Sequence, residues 1–221
     1  MHLVEAYDTM EDKNILEALK KLRAQEDLRE KKINFDQTLD LIINLREFDP
    51  RKQAFSTFVT LPKRFKEKKI AGFFEKDSTV IDAIKKDNFV QYKEKKDIKK
   101  LIKQYDSFVA NAKLMPAIAT SFGRVLGPAG KMPNPQLGII PNEEPAVVKA
   151  VVDKINSTVR VMVKEPSIKV GVGKVSLKDE DLVGNIDAVY RRVVEQLPKG
   201  KDNIRNIKIK FTMGKPVTVT L

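Results

Sequence analysis

The sequence predicts a mixed α/β fold in two domains, with the middle of the chain inserted into a domain built from both ends. Three observations predict it. Residues 67–157 alternate short apolar runs with helical patterns, the order of repeated βα units and of a mostly parallel sheet. Residues 1–66 and 158–221 carry instead longer alternating runs beside strong amphipathic helices. Between these regions lies PKRFKEKK, residues 62–69, a basic polar connector where the pattern switches.

The elements follow in order. Residues 11–30 predict an amphipathic helix, with Ile15, Leu16, Leu19 and Leu22 at helical spacing. From Phe35 the period changes. Leu39, Leu41, Ile43 and Leu45 alternate with Thr38, Asp40 and Asn44, which predicts a half-buried strand. Asp49-Pro50 marks a turn, and Ala54 to Leu61 is a second strand stopped by Pro62. In the middle region Ile70–Phe74 predicts a short strand. Thr79–Lys86 predicts a helix with Ser78 as N-cap. Phe89–Tyr92 predicts another strand, 97–104 a basic helix, 107–112 a strand, and Met115–Leu126 a helix with Pro116 early, where proline is tolerated. The segment GPAGKMPNPQLG, 127–138, is too rich in Gly and Pro for regular structure. Residues 143–156 predict a helix lined by Val147, Ala150, Val151 and Ile155. Toward the C-terminus, 158–163 and 168–177 predict strands. Residues 178–197 predict a helix with Asp179, Glu180 and Asp181 suited to the positive end of its dipole. Residues 204–211 form a further strand, with Lys208 and Lys210 on its polar face, and 216–221 alternate again.

Composition narrows the function. Among 221 residues, 42 Lys and Arg face 30 Asp and Glu, a net charge of +12. Such an excess suits a polyanion, because cations that meet phosphates release condensed counterions. An anionic membrane surface is the competitor. The basic residues are, however, spread along the whole chain and not gathered on one amphipathic helix. No run of 18 or more apolar residues is present, so no membrane span is expected. The N-terminal residues lack the pattern of a secretory signal. The absence of cysteine excludes disulfides, thiolate nucleophiles and cysteine-type zinc sites, and fits a reducing cytoplasm. The single histidine, His2, leaves imidazole base chemistry and multi-histidine metal sites without support.

Two lysine-bearing glycine loops need weighing. In GVGKVS, Gly171–Ser176, Ile168 stands where a phosphate loop needs glycine and Val175 where it needs a hydroxyl. A strand with close backbone approach at its glycines is the better reading, with Lys169 and Lys174 projecting from it. In GPAGK, Gly127–Lys131, Met132 follows the lysine. This is either a rigid loop between two helices or a phosphate or protein contact. Carboxylate pairs such as Glu26/Asp27 and Glu143/Glu144 read as solvated faces. No catalytic site and no cofactor is expected. The most informative constellation is Phe35 and Thr38 with Phe211-Thr212-Met213-Gly214-Lys215. Hydroxyls, an accessible glycine backbone, apolar contact and a cation are what RNA recognition uses. An ordinary strand exit with Met213 in the core fits these residues equally well.

At those residues the chain resembles the large-subunit ribosomal protein L1 family. The resemblance is carried by Phe211 to Pro216 (FTMGKP), by Asn34 to Thr38 (NFDQT), by Leu126 to Pro135 (LGPAGKMPNP) and by Gly171 to Lys174 (GVGK). The four occur in family order across nearly the whole chain, and the compact length and the Gly214-Lys215-Pro216 after Thr212-Met213 resemble the archaeal and eukaryotic branch. The resemblance implies a split α/β sandwich formed by 1–66 and 158–221, which binds RNA, with a Rossmann-like three-layer α/β domain inserted at 67–157. It implies the mobile stalk of large-subunit rRNA as partner, next to the exit-site tRNA whose release the family assists. It also implies binding to the protein's own mRNA as a repressor, a monomeric state when free, and neither a membrane nor a small-molecule substrate. The RNA face implied is Phe35, Thr38, Lys169, Thr212, Met213 and Gly214. Bacterial members tend to have histidine in place of Lys169. A lysine keeps a donor and adds charge but loses ring stacking. The rival readings are a stand-alone RNA-binding regulator and a nucleotide-dependent enzyme of the middle domain.

Overall fold

The computed structural model describes residues 12–28, 33–92 and 95–220; His2 lies outside the described residues. The chain runs through α1 (Asp12–Asp27), β1 (Thr38–Leu45), α2 (Pro50–Gln53), β2 (Phe55–Thr60), β3 (Ile70–Phe74), β4 (Asp82–Lys85), α3 (Lys95–Gln104) and β5 (Ser107–Asn111). It continues through α4 (Met115–Leu126), β6 (Ile139–Ile140), α5 (Pro145–Ser157), β7 (Thr158–Val163), β8 (Ser167–Lys174), α6 (Asp179–Gln196), β9 (Ile204–Phe211) and β10 (Val217–Val219). The mixed α/β class expected from the sequence is what the chain adopts. Two compact units form: Met1–Lys66 together with Ser157–Leu221, and Glu67–Asn156.

In the first unit an antiparallel sheet runs in the order β10-β9-β1-β8. Strands from opposite ends of the chain therefore pair directly. Alternation makes this sheet two-faced. Leu39, Leu41 and Ile43 of β1 point inward beside Ile207, Ile209 and Phe211 of β9 and Ile168, Val170 and Val172 of β8. Ile15, Leu19 and Leu22 of α1 and Leu182, Ile186, Val189 and Val193 of α6 cover that face. Each fully buried aliphatic side chain contributes ~1.5–3 kcal/mol by leaving water. Arg23 ties α1 to the start of α6, with Nε on the Asp179 carboxylate at 2.7 Å and Nη1 and Nη2 on the carbonyls of Val175 and Leu177. β2 and β7 form a separate antiparallel ribbon, closed at its end by the Leu61 N–H donating to the Ser157 carbonyl at 2.7 Å. The following stretch is held on the same unit. Asn185, fully buried, accepts from the Lys63 N–H and donates to the carbonyls of Lys63 and Val172. The near part of the 62–69 connector is therefore folded against the sheet.

The second unit is a parallel sheet in the order β4-β3-β5-β6. α3 and α4 pack on one face through Ile98, Leu101, Ile118 and Phe122 against Phe73 and Phe108. α5 packs on the other through Val148 and Ile155 against Ile70, Phe74 and Val109. Two expected elements differ here. The segment expected as a helix, Thr79–Lys86, contains β4 instead. Ser78 does not cap a helix; its Oγ accepts from the Val80 N–H at 3.2 Å in a local turn. The β-branched run Thr79-Val80-Ile81 disfavours helix, and Ile84 gains burial beside Phe73 in the sheet. The expected strand Phe89–Tyr92 belongs to a 3-10 helix over Lys86–Tyr92. Its aromatic content serves core packing and not strand pairing: Phe89 meets Phe73 and Phe122 edge-on, with centroids 5.7 and 5.0 Å apart.

Both glycine loops resolve into packing. Lys131 of GPAGK donates from Nζ to the carbonyls of Ile102 and Tyr105, each at 2.6 Å, satisfying the end of α3. Gly130 just before it adopts φ +68°, the left-handed region that glycine enters without strain. This is a rigid loop with its lysine already used. In GVGK, a Cβ on Gly173 would run into the Leu182 side chain of α6, so the glycine leaves room for that side chain against β8.

Candidate nucleic-acid interface

β1 begins at Thr38 and β9 ends at Phe211, paired with Leu39. This register brings Thr38 and Thr212 side by side. The Thr212 N–H donates to the Thr38 carbonyl at 3.1 Å, and the Thr38 N–H donates to Thr212 Oγ1 at 3.1 Å. Thr212 Oγ1 lies 3.3 Å from the same Thr38 carbonyl and donates to it. The chain then turns, with the Gly214 N–H donating to the Phe211 carbonyl at 2.9 Å. Met213 stands at the tip, 56% exposed, and Phe35, three residues before Thr38, is 55% exposed. Five of the six residues singled out from sequence thus gather at one end of one sheet: Phe35, Thr38, Thr212, Met213 and Gly214. Met213 is at the surface and not in the core. Gly214 spends its N–H internally and can offer a ligand only its carbonyl. The Thr38 hydroxyl makes no hydrogen bond among the described residues.

Lys169 is placed differently. It pairs with Ile42, four residues along β1 from Thr38, which is roughly 13 Å at strand rise. It is exposed, with a loose ion pair to Glu165 at 3.8 Å. It nonetheless shares the face that Thr38 occupies. Lys169 and Lys174 are five residues apart and would point to opposite faces of a regular strand. A bulge opposite Leu39 and Asp40 inserts one residue, so that Lys174 pairs with Thr38, Gly171 with Asp40 and Lys169 with Ile42. On the other flank Lys210 pairs with Asp40 and Lys208 with Ile42. The face that α1 and α6 leave open thus carries Lys169, Lys174, Lys208 and Lys210 around Thr38, Asp40 and Ile42.

Three residues that support the patch were not among the sequence-derived candidates. Gln37, 3% exposed, lies beneath the Met213 turn. Its Oε1 accepts from the Met213 N–H at 2.9 Å, and its Nε2 donates to Glu26 Oε1 at 2.6 Å. Glu26 is thus a partner of the turn's anchor and not merely part of a solvated face. Asp36 accepts from the Ser176 hydroxyl at 2.8 Å and faces Lys174 at 3.5 Å. Burial alone would raise its carboxyl; the two Ser176 hydrogen bonds and Lys174 outweigh it and hold the group below the usual carboxylate range. Asp40 goes the other way. Burial in the sheet face raises it, and Lys210 offsets this only in part. One sequence signal for Gln37 existed: it shares the parity of Leu39 and Leu41, a polar residue on the core side of the strand.

Comparison with known proteins settles the family. A sequence profile of the Ribosomal protein L1p/L10e family matches residues 22–215. The chain belongs to the ribosomal protein L1p/L10e family. Its members include proteins named Large ribosomal subunit protein uL1 in archaea. That of Nanoarchaeum equitans is 38% identical over 199 residues, covering 86% of this chain and 93% of the relative. That of Methanobrevibacter smithii is 36% identical, covering 93% and 98%, and that of Thermococcus kodakarensis is 35% identical, covering 93% and 96%. Like the rest of this family, the chain is a structural ribosomal protein and not an enzyme. The matched span contains all six residues of the expected RNA face, from Phe35 to Gly214. Among the described residues no group of His, Cys, Asp or Glu is arranged to hold a metal ion, and no helix is long and apolar enough to cross a membrane.

Proposed function

We propose that the chain acts in the large subunit of the cytoplasmic ribosome by gripping the mobile stalk of the rRNA through the first unit. The observation that carries this reading is the exposed tip Phe35–Met213, fixed over a buried glutamine and bordering an open lysine-bearing sheet face. Exposed large apolar groups on a rigid rim are costly to leave in water and suit stacking or apolar contact with bases and riboses. The Thr38 hydroxyl supplies a free donor, Thr212 Oγ1 a remaining lone pair, and the Gly214 carbonyl an acceptor for 2′-hydroxyls. Lys169, Lys174, Lys208 and Lys210 add a term common to any RNA and weakened by salt. The stalk position brings the protein beside departing exit-site tRNA, and a similar structure in its own mRNA makes it a repressor of its own translation. A regulator acting only off the ribosome is the second reading; co-sedimentation with large subunits at moderate salt separates the two.

The test is filter binding of a stalk rRNA fragment. Met213→Asp replaces an apolar contact by a carboxylate facing phosphates. Forfeiting about 2–4 kcal/mol of burial and charge terms weakens binding roughly 30- to 1000-fold. Thr212→Ala is expected to weaken it as well. Both variants binding like the parent would overturn the assignment.

A further inference from the structure

The second unit carries a basic feature that the patch on the first unit does not use. α3 buries Ile98 and Leu101, 3% and 4% exposed, among the aromatic side chains of that unit. Its outer side presents Lys96, Lys99 and Lys103, all exposed. At spacings of three and four they form one stripe, about 10 Å long at helical rise. Lys100 is paired with Asp97 at 3.4 Å; the other three have no carboxylate partner among the described residues. Like charges at this spacing repel one another, so the stripe is a cost unless something anionic meets it.

At its C-terminal end the stripe opens onto a depression of about 740 Å³, which Lys103 also lines. Lys69 and Ser78 stand on its rim, and Asp82 lines it with its carboxylate taken up by the Tyr105 hydroxyl at 2.7 Å. Ile70 and Asp82, the first residues of β3 and β4, place the depression at the amino ends of the parallel strands. Nucleotides bind α/β sheets at the carboxyl ends, so this is not a nucleotide crevice. The apolar side of α3 is consumed by the core, which leaves nothing for insertion into a bilayer.

We propose that the Lys96–Lys99–Lys103 stripe and the adjoining depression at Lys69 form a second RNA contact, which holds the phosphate backbone without reading sequence. The inference rests on the reading that this chain binds RNA, and it adds the second unit to that contact. Each lysine that meets a phosphate releases counterions, so the contact shows in the salt dependence of affinity.

The experiment uses the full chain and a fluorescent stalk rRNA fragment, titrated over a series of KCl concentrations. The variants are the triple K96Q/K99Q/K103Q, the triple K96R/K99R/K103R and M213D; thermal unfolding checks that each is folded. For the glutamine triple, the slope of log K against log salt is expected to shrink by about two to three. Affinity at low salt is expected to fall on the order of tenfold, and the arginine triple to keep both near the parent values. If the glutamine triple keeps the parent's slope and affinity while M213D weakens binding, this inference is wrong and the first-unit patch stands. If M213D binds like the parent while the glutamine triple shows its loss, the patch is wrong and the stripe stands. Flotation with phosphatidylserine vesicles is the competing arm. Vesicle capture lost in the glutamine triple, with RNA binding unchanged, would overturn the proposal in favour of a membrane surface.

Discussion

Gln37→Leu isolates the anchor beneath the Met213 turn. Leucine keeps most of the buried volume and leaves untouched the Gln37 main-chain carbonyl, which accepts from the Val175 N–H at 3.0 Å. What is lost is the side-chain amide. One hydrogen bond goes to a carboxylate, Glu26, and such bonds contribute ~1.5–3 kcal/mol; the other comes from a neutral amide, Met213 N–H, at ~0.5–1.5 kcal/mol. Glu26 is only half-buried and regains water, which puts its share at the low end. The sum is about 2–3 kcal/mol. For a chain of this size each kcal/mol lowers the melting temperature by roughly 2–4 °C, so the variant should melt roughly 4–12 °C lower in circular dichroism. RNA affinity should fall as well, although the buried Gln37 side chain is spent on Glu26 and Met213, because the freed turn must be reordered on binding. One kcal/mol of such ordering is roughly fivefold in Kd. A variant that melts within a degree of the parent and binds stalk RNA equally well would refute the anchor and with it the rigidity of the rim.

Other substitutions separate folding from recognition. Gly214 has ordinary φ, and a Cβ there would meet Phe211 atoms no closer than 3.5 Å. Gly214→Ala should therefore fold with unchanged or slightly higher stability yet bind RNA more weakly, because the added methyl blocks close approach; unchanged affinity would place the RNA elsewhere. Glu143 accepts from the N–H groups of Glu75 and Lys76 and from Asn111 Nδ2. Burial pushes its carboxyl up, but these three hydrogen bonds and the Lys76 charge together outweigh it and leave the pKa lowered. With the folded value depressed, its stabilisation is complete above the unfolded carboxylate range and is lost as pH falls through the folded value. Glu143→Gln should cost stability at neutral pH and flatten the acid limb of a pH–melting profile, whereas parallel profiles for variant and parent would count against it.

Much of the fold was legible because periodicity reports a side chain's environment directly. The alternation of β1 and β9 follows from one face meeting α1 and α6 while the other meets solvent, and both runs stand out in the sequence. Thr79–Lys86 was not legible as a strand. Its four-residue β4 is defined by parallel pairing to β3, a non-local event that leaves little periodic trace. In the candidate interface, the residue types of Thr212, Met213 and Gly214 could be read, but not whether Met213 faced core or water, since a strand exit has no period. Lys174 joining Lys169 on one face depends on a bulge, and an inserted residue is invisible until the partner strand is known. Gln37 was concealed for a different reason. A polar side chain at an inward position looks like an error in the pattern until its two partners, Glu26 and the Met213 amide, are found 11 and 176 residues away.

The same geometry explains how residues 35–38 and 212–214 meet without help from the middle of the chain. The β2–β7 ribbon runs from Phe55↔Val163 to Thr60↔Thr158, and the Leu61–Ser157 hydrogen bond follows it. Asn185 then fixes the Lys63 backbone on the first unit. The inserted unit thus leaves and rejoins at a ribbon end that is already closed. Replacing residues 67–156 by a flexible Gly-Ser linker of about six residues preserves every strand pairing of the first unit and lengthens no loop that its core depends on. Such a chain should unfold cooperatively and retain the Met213-dependent part of RNA binding, as measured by the ratio of affinities with and without Met213→Asp. Its salt slope should be shallower, since the lysines of α3 are gone. An unfolded product would mean that the pairing of the two chain ends depends on the insertion, contrary to the register seen here.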